Sequence, residues 1–352
     1  MVDLPFLPVP ASRQLWPPAQ IHSPQLPSLP LNNLPDPCRS TPPTTFTKQP
    51  VMVSGQKSVH IPVMPREVLH QLQLSPGLSV LDGTAGGGGH SALILKHISP
   101  GGRLVSIDRD ATMLELAAER LRNEFPTQSN YQLYHGSYTR AAEFLSAAGL
   151  EHADRVLLDL GLSSDQLADR ERGFGFDAGG PLDMRFHAAG TPTAATLLRI
   201  SSEAELVRMM EDYGDEPSAK KIAAEIIQRR SRGQSIETTA QLEDCVQAAT
   251  GQRRGAGRNP ATRVFQALRI ATNNELQHVE QMMTEVLPRI LKTGGIAVIL
   301  TFHSLEDRIV KNACKGHQGW QVLTKTPLEP TPAEVRLNPR SRSTKLRAVR
   351  KL

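Results

Sequence analysis

The chain has 352 residues, enough for a sizeable buried core and two domains, and its formal net charge of +5 is modest. Its three cysteines (Cys38, Cys245 and Cys314) lie far apart without a Cys-x-x-Cys pair, so neither a disulfide framework nor a structural zinc site is predicted. No apolar run approaches the roughly 18–20 residues that span a bilayer, so we expect a soluble protein of a reducing compartment.

Residues 1–57 differ from the rest of the chain in composition. They are dense in proline, with pairs at 17–18 and 42–43, and they are poor in charge. This composition predicts a disordered extension. The segment has neither the Arg-rich amphipathic pattern of a transit peptide nor the apolar stretch of a secretory signal, although an organelle leader is an alternative.

From residue 58 onward, apolar runs alternate with segments of helical spacing. The predicted helices of this part cover residues 65–72, 113–122 and 141–147. The predicted strands cover residues 79–81, 104–107, 131–134, 155–160 and 296–302. Alternation of this kind predicts an α/β fold with a parallel, doubly wound sheet.

The fourth and fifth strands are separated by residues 161–295, which is far too long for a single crossover connection. The gap has helical periods at 203–210, 219–230 and 242–249 and no convincing strand. We therefore predict an all-helical domain over 168–258, inserted into a core formed by 58–167 and 259–352. Because ligands bind outside the carboxyl ends of such strands, this insert is expected to form one wall of a substrate cleft.

A glycine loop follows the first predicted strand. Residues 82–91 read Asp-Gly-Thr-Ala-Gly-Gly-Gly-Gly-His-Ser, and Asp108 ends the next strand, where its carboxylate can accept hydrogen bonds from a ribose diol. Asp82 would repel the pyrophosphate of a dinucleotide, whereas it suits a cationic ligand. S-adenosylmethionine carries a sulfonium and an ammonium group, so we predict that cofactor, with the ring of Tyr138 packing on its adenine or sugar.

The segment Asp159-Leu160-Gly161 ends the fourth predicted strand, where its side chains would face the target. The lone pair of an exocyclic base amine is delocalised into the ring, so an acceptor at its N–H can hold the nitrogen out of conjugation and aim it at a sulfonium methyl. Asp159 is our candidate for that catalytic acceptor; the alternative is that it only orients the cofactor. None of the cysteines follows a strand end, which argues against methylation of cytosine carbon-5.

Further polar residues follow the fifth predicted strand. His303 would lie on the same rim as Asp159, and either it or Phe302 could stack on a base, although a buried structural histidine is an equal alternative. Of Arg263 and Arg269, one is expected to contact phosphate and the other to be structural. The basic C-terminus, with no acid after Glu334, suggests a polyanionic partner or only a solvated tail.

The chain resembles the bacterial 16S ribosomal RNA cytosine-N4 methyltransferases of the MraW/RsmH type. The matching blocks are residues 60–63, 82–91, 159–167, 172–174, 180–185, 260–263, 302–308, 338–343 and 345–347. The resemblance implies a Rossmann-like class I methyltransferase sheet with a helical insert, which acts in the cytoplasm. It implies N4-methylation of a cytidine in the decoding centre (P site) of 16S rRNA within the small ribosomal subunit.

The same resemblance implies the contacts to S-adenosylmethionine. By the family pattern these fall on Gly88, Gly89, His90, Asp108, Tyr138, Asp159 and Gln166. No metal and no membrane partner are expected, and the oligomeric state is left open, with a homodimer as one option. Position 138 is often phenylalanine in the family, and tyrosine keeps the ring. Asn259 stands where histidine is usual, and residues 271–274 depart mildly from the usual valine-containing run, but neither of these two differences touches the cofactor blocks.

Three alternatives fit the sequence less well than this interpretation. An amino-methyltransferase acting on DNA or another RNA would carry Asp or Asn followed by Pro-Pro and an aromatic, which Leu160-Gly161 does not match. A catalytically silent RNA-binding assembly factor would not need Asp82, Asp108 and Asp159 together with the glycines. A dehydrogenase is disfavoured by the acidic residue that opens the loop.

Overall fold

The computed structural model of the protein describes residues 61–176, 179–188, 190–252 and 259–352. The predicted disordered extension 1–57 and His60 lie outside these residues. Within them, no helix is both long and apolar enough to cross a bilayer.

The core of the fold is a seven-stranded sheet in the order β3-β2-β1-β4-β5-β7-β6. The strands are β1 (Ser79–Asp82), β2 (Arg103–Asp108), β3 (Tyr131–His135), β4 (Ala153–Asp159), β5 (Leu291–Thr301), β6 (Trp320–Val322) and β7 (Lys345–Lys351). Strands β1 to β5 are parallel, and β7 runs antiparallel between β5 and β6. The predicted Rossmann-like α/β class and all five predicted strands are confirmed. The strand order reverses beside β1, which places a binding crevice between the carboxyl ends of β1 and β4.

The basic C-terminus forms a strand inside the sheet, so its interpretation as a solvated tail is wrong. Arg347 is buried and donates two hydrogen bonds to the carboxylate of Asp307, at 2.7 and 3.1 Å. The Nζ of Lys351 donates to the carbonyl oxygens of Pro288 and Leu291, at 2.7 and 2.8 Å. Four of the seven residues of this strand are charged, so its sequence does not read as an inner strand, and the partner of Arg347 lies 40 residues away along the chain.

Helices cover both faces of the sheet. The helices in sequence order are α1 (Pro65–Leu72), α2 (Gly89–Ile98), α3 (Ala111–Glu124), α4 (Ala141–Ala147), α5 (Ser164–Ala168), α6 (Ala194–Ile200), α7 (Glu203–Gly214), α8 (Ala219–Ser231), α9 (Thr239–Thr250), α10 (Thr262–Asn273), α11 (Glu275–Gln281), α12 (Leu287–Ile290), α13 (Ser304–Gly316) and α14 (Pro332–Leu337). Successive residues of a strand face opposite sides of the sheet. Val80 accordingly joins the apolar core shared with α1, α2 and α3, whereas Leu81 joins the core shared with α4 and α13.

A third apolar core lies in the helical region between β4 and β5. It is formed by α6 to α9 together with Phe174, Leu182 and Met184. Buried residues of α10 belong to the same core, and a side chain at Gly214 would meet the carbonyl oxygen of Arg263 at 2.6 Å. The helical core therefore continues past residue 258, and the boundaries 168–258 of the predicted insert stay a prediction.

Gly88 permits the close packing of α2 against α3. Its φ is +78°, and a Cβ built there would lie 2.9 Å from the Cα of Ala117. Both the left-handed backbone and the backbone approach exclude a side chain. Gly88 thereby fixes how the helix that follows the glycine loop sits beside its neighbour.

We expect Gly88→Ala to lower the free energy of unfolding by more than Gly233→Ala does. Gly233 also has a positive φ (+72°), but an added Cβ there would meet nothing within 4 Å. The control thus incurs only the left-handed strain of about 1–2 kcal/mol, whereas Gly88→Ala must also push α2 from α3. Urea unfolding of both variants measures the difference; equal losses would contradict the packing role.

Candidate functional site

A cavity of about 460 Å³ opens at the carboxyl ends of β1, β2 and β4. Residues of the loop after β1 and of the segment after β4 line one side of it. Aromatic and apolar residues line the other side: Phe174, Phe176, Met184, Phe186 and Phe265. The cavity is therefore enclosed between the sheet and the helical region.

Asp82 lies behind the glycine loop and does not line this cavity. Its side chain is fully buried, where Oδ2 accepts a hydrogen bond from Ser91 Oγ at 2.6 Å and Oδ1 accepts from the Thr84 N–H at 3.2 Å. Burial raises the pKa of Asp82 to about 6. The carboxylate thus ties the loop to α2. Like Gly88, Asp82 supports the glycine loop without lining the cavity. A direct contact between Asp82 and a cofactor stays a prediction.

Asp108 reaches the cavity from the end of β2 and is held by backbone donors. The Gly86 N–H donates to its Oδ2 and the Asp110 N–H to its Oδ1, both at 2.8 Å. Burial raises the pKa of Asp108 to about 7 despite these bonds. The structure therefore brings the glycine loop and Asp108 together, as the sequence predicted. Gly86 is the loop residue that makes this bond, and only its place in the glycine run indicated it.

Asp159 and His90 meet on the cavity wall. The Nε2 of His90 lies 3.6 Å from Oδ2 of Asp159, and both side chains are largely buried. The Asp159 N–H donates to Thr84 Oγ1 at 2.6 Å, which fixes the end of β4 to the loop after β1. Burial, followed by the negative charges of Asp82 and Glu306, raises the pKa of Asp159 well above its usual range. Such a carboxylate is stabilised in its charged form by a cationic ligand.

Tyr138 and Gln166 also line the cavity, as predicted. The ring of Tyr138 packs edge-on against His278, with ring centres 6.4 Å apart. The Gln166 amide completes a capping box at the start of α5, where its Oε1 accepts from the Ser163 N–H at 2.9 Å. Its Nε2 donates to Oδ2 of Asp110, also at 2.9 Å. Gln166 is therefore fixed in orientation while one edge faces the cavity.

Asp110 is a residue that the sequence analysis missed. It caps α3 by accepting from the Thr112 N–H, and its buried carboxylate also accepts from Arg172 at 2.9 Å. Arg172 in turn lies over the ring of Phe174, with 5.4 Å between its Cζ and the ring centre. The Arg-Gly-Phe block at 172–174 was the available signal, but its partner 62 residues earlier could not be identified from spacing.

Four side chains stack in series along the helical wall. Phe174 and Phe186 stack with ring centres 5.5 Å apart, and Arg109 lies over the outer face of Phe186 at 5.4 Å. With Arg172 over Phe174, guanidinium groups flank the stacked pair. Each of these two rings therefore already has an aromatic and a guanidinium neighbour within the protein.

His303 caps α13 and is not one of the cavity-lining residues. Its Nδ1 accepts from the Glu306 N–H at 3.4 Å, and its Nε2 lies 3.2 Å from Oε1 of Glu306. Glu306 is buried, and its Oε2 accepts from the Phe302 N–H at 2.8 Å. The ring of Phe302 does line the cavity. A catalytic role of His303 stays a prediction, since its observed contacts are those of a helix cap.

Arg269 forms an ion pair inside the protein, whereas a phosphate contact by Arg263 or Arg269 stays a prediction. The Nε and one terminal nitrogen of Arg269 donate to the two carboxylate oxygens of Glu275, each at 2.8 Å. Glu275, His303 and Glu306 each offer a ligand atom within 4.8 Å of the others, a spacing that suits a metal ion. Both oxygens of Glu275 already accept hydrogen bonds from Arg269, which competes with metal binding. The expectation that the protein binds no metal remains a prediction.

Comparisons with known proteins agree on one family. The model of the MraW methylase family matches residues 57–352. Ribosomal RNA small subunit methyltransferase H of Trichlorobacter lovleyi is 44% identical over 312 residues, which cover 83% of this chain and 98% of that protein. The protein of the same name from Pelobacter propionicus is 43% identical over 313 residues, with the same coverage.

Solved structures resemble the chain less closely than these relatives do, and one of them serves as an example. The precorrin-6Y C5,15-methyltransferase of Geobacter metallireducens GS-15 aligns with a TM-score of 0.38 at 11% identity, over 82% of this chain and 87% of that chain. This likeness is too weak to support a conclusion.

We expect Arg172→Ala to lower the free energy of unfolding by about 2–4 kcal/mol, because it leaves the buried Asp110 carboxylate without its counter-charge. Arg140→Ala is the matched control. Arg140 also lies over a phenylalanine ring, at 5.2 Å from Phe144, but its partner Glu143 is exposed, so its loss should be below about 1 kcal/mol. Urea unfolding gives both values, and similar losses would contradict the importance of the buried pair.

Proposed function

Because the chain belongs to the MraW methylase family, we propose that it transfers a methyl group from S-adenosylmethionine to N4 of a cytidine in 16S ribosomal RNA. The site is the decoding centre (P site) of the small ribosomal subunit, in the cytoplasm. One observation carries the chemistry: the buried carboxylate of Asp159, with its raised pKa, lies beside the glycine loop.

The residues of the cavity suit this cofactor. Gly89 lines the cavity, and a Cβ there would lie 2.6 Å from Pro62 Cγ, so the start of α2 packs closely on the segment before α1 and has no room for a side chain. Asp108 offers acceptors to a ribose diol, and Tyr138 offers a ring to the adenine or the sugar. The raised pKa values of Asp108 and Asp159 fit a ligand that carries positive charge. When bound, S-adenosylmethionine supplies an electrophilic methyl group.

Asp159 acts in this proposal as the acceptor for the N4–H of cytosine. In its charged form it pulls the amine hydrogen out of the plane that conjugation favours, so the nitrogen lone pair becomes available. The bond from the Asp159 N–H to Thr84 fixes the backbone of this residue relative to the loop that holds the cofactor. Since His90 lies beside the same carboxylate, it helps to orient it.

Phe302 provides the stacking surface for the base. A Cβ built at Gly161 would lie 3.0 Å from the ring of Phe302, so the ring packs directly against the backbone after β4. Phe174 and Phe186 stack on each other, and each already has a guanidinium group 5.4 Å from its ring centre. His303 contributes indirectly, because it contacts Glu306, which holds the Phe302 N–H. This makes His303 a positioning residue in the proposal.

Small-subunit ribosomal RNA is favoured over DNA for two reasons. The strand-end sequence Asp159-Leu160-Gly161 lacks the Pro-Pro-aromatic continuation of the DNA amino-methyltransferase alternative. The curated relatives that cover most of the chain are named for the small ribosomal subunit.

The main test incubates the protein with labelled S-adenosylmethionine and small subunits from a strain that lacks N4-methylcytidine. We expect label as N4-methylcytidine in the decoding region. Asp159→Asn should reduce the rate by roughly 10²-fold or more, because an amide cannot accept the hydrogen bond with the strength of a carboxylate. Asp212→Asn, an exposed change on α7, is the control and should retain full rate. Absence of label from the wild-type reaction would refute the function.

A pH profile tests the protonation state of Asp159. The charged carboxylate is a much stronger acceptor than the protonated acid, so kcat/KM should rise with pH through the raised pKa of Asp159 and then level off. Glu306→Gln removes a negative charge that raises this pKa, so the acid limb should move to lower pH. Glu285→Gln, an exposed change outside the residues that line the cavity, should leave it in place. An unmoved limb in Glu306→Gln would exclude Asp159 as the titrating group.

A further inference from the structure

A short 3-10 turn at Pro339–Ser343, here called the mouth turn, borders the opening of the cavity. Arg340 and Ser343 of this turn line the cavity, as does the adjoining Asn338. In a 3-10 helix, residues three apart lie on the same face. The guanidinium of Arg340 and the hydroxyl of Ser343 are therefore presented together at the opening.

Buried residues and hydrogen bonds fix the position of the mouth turn. Ser341 is fully buried, and its Oγ donates to the carbonyl oxygen of Asn338 at 2.8 Å. The buried Thr344 donates its N–H to the carbonyl oxygen of Ser341, also at 2.8 Å, where β7 begins. Glu334 of the preceding helix accepts from the Met64 N–H at 2.5 Å. The turn is thus anchored to the sheet and to the segment before α1, which gives Arg340 a fixed base.

The charge at the opening differs from the charge deeper in the cavity. Asp159 and His90 are largely buried, whereas the side chain of Arg340 is exposed. Across the described ranges, no hydrogen bond of the Arg340 side chain is found; partial burial lowers the pKa of Arg340, and the negative charge of Asp165 on α5 counteracts this. The guanidinium can therefore offer N–H donors to a ligand that arrives from solvent.

We propose that Arg340, together with Ser343, binds a backbone phosphate of the RNA strand whose base enters the cavity. This inference rests on the proposed function. A base beside Asp159 leaves its sugar and phosphate at the opening, because a phosphodiester keeps its charge in water. Guanidinium forks match phosphate oxygens in a bidentate manner. The exposure of Arg340 favours this anion over the carboxylate of a cofactor seated deeper in the cavity.

The test compares Arg340→Gln and Arg340→Lys with the wild type in binding a single-stranded RNA oligonucleotide of the decoding-region sequence over a series of salt concentrations. Loss of one phosphate contact should lower the slope of log K against log salt by about 0.7 and weaken binding about tenfold at low salt. Arg340→Lys keeps the charge and should keep the slope, with weaker binding. Arg289→Gln is the matched control. Arg289 is exposed on α12, which directly precedes β5 and so lies at the amino end of that strand, away from the cavity at the carboxyl ends.

Calorimetry with S-adenosylmethionine separates the two anion sources. An unchanged cofactor affinity together with a reduced salt slope supports the phosphate contact. A reduced cofactor affinity with an unchanged slope would assign Arg340 to the cofactor carboxylate and overturn the inference, as would no change in either. Because RNA binding is measured without turnover, a wild type that binds RNA but transfers no methyl group would refute the proposed function and leave this readout valid.

Discussion

The carboxylate of Asp110 joins the sheet to the helical wall of the cavity, and the site depends on this junction. It begins α3, binds the Gln166 amide at the start of α5, and pairs with Arg172. Its own N–H donates to Asp108, the residue predicted to hold the ribose. A single buried charge with three partners, together with the backbone N–H of the same residue, thus sets the spacing between the predicted cofactor side and the wall that carries the stacked phenylalanines, because a buried charge tolerates little movement of its partners.

A second constraint is the concentration of acids at the carboxyl edge of the sheet. Asp82, Asp108 and Asp159 end three adjacent parallel strands, and burial raises the pKa of each. Asp82 is satisfied by Ser91 and the loop backbone, so it stabilises the loop from behind. The other two face the cavity, where a ligand with positive charge relieves the cost of their burial. The arrangement therefore links the geometry of the loop to the chemistry proposed for it.

Most of the residues predicted for the site line one cavity, but three of them do not. The sequence placed Gly89, His90, Asp108, Tyr138, Asp159 and Gln166 at strand ends and loop positions that do converge on one cavity. Gly88 and Asp82 lie behind the loop, and His303 turns towards Glu306. Strand and loop positions can be inferred from apolar periods, but the direction of a side chain depends on neighbours that periodicity does not reveal.

The sequence by itself determined the five parallel strands, the glycine loop and the acid at the end of β2, because each is a local pattern of apolar spacing, glycine and charge. Only the tertiary structure decided that the basic C-terminus is an inner strand, fastened by the pair Asp307 and Arg347. It also decided that Asp110 meets Arg172 and that the mouth turn borders the cavity. These features depend on residues far apart along the chain, whose separation in space is fixed by packing of the whole domain.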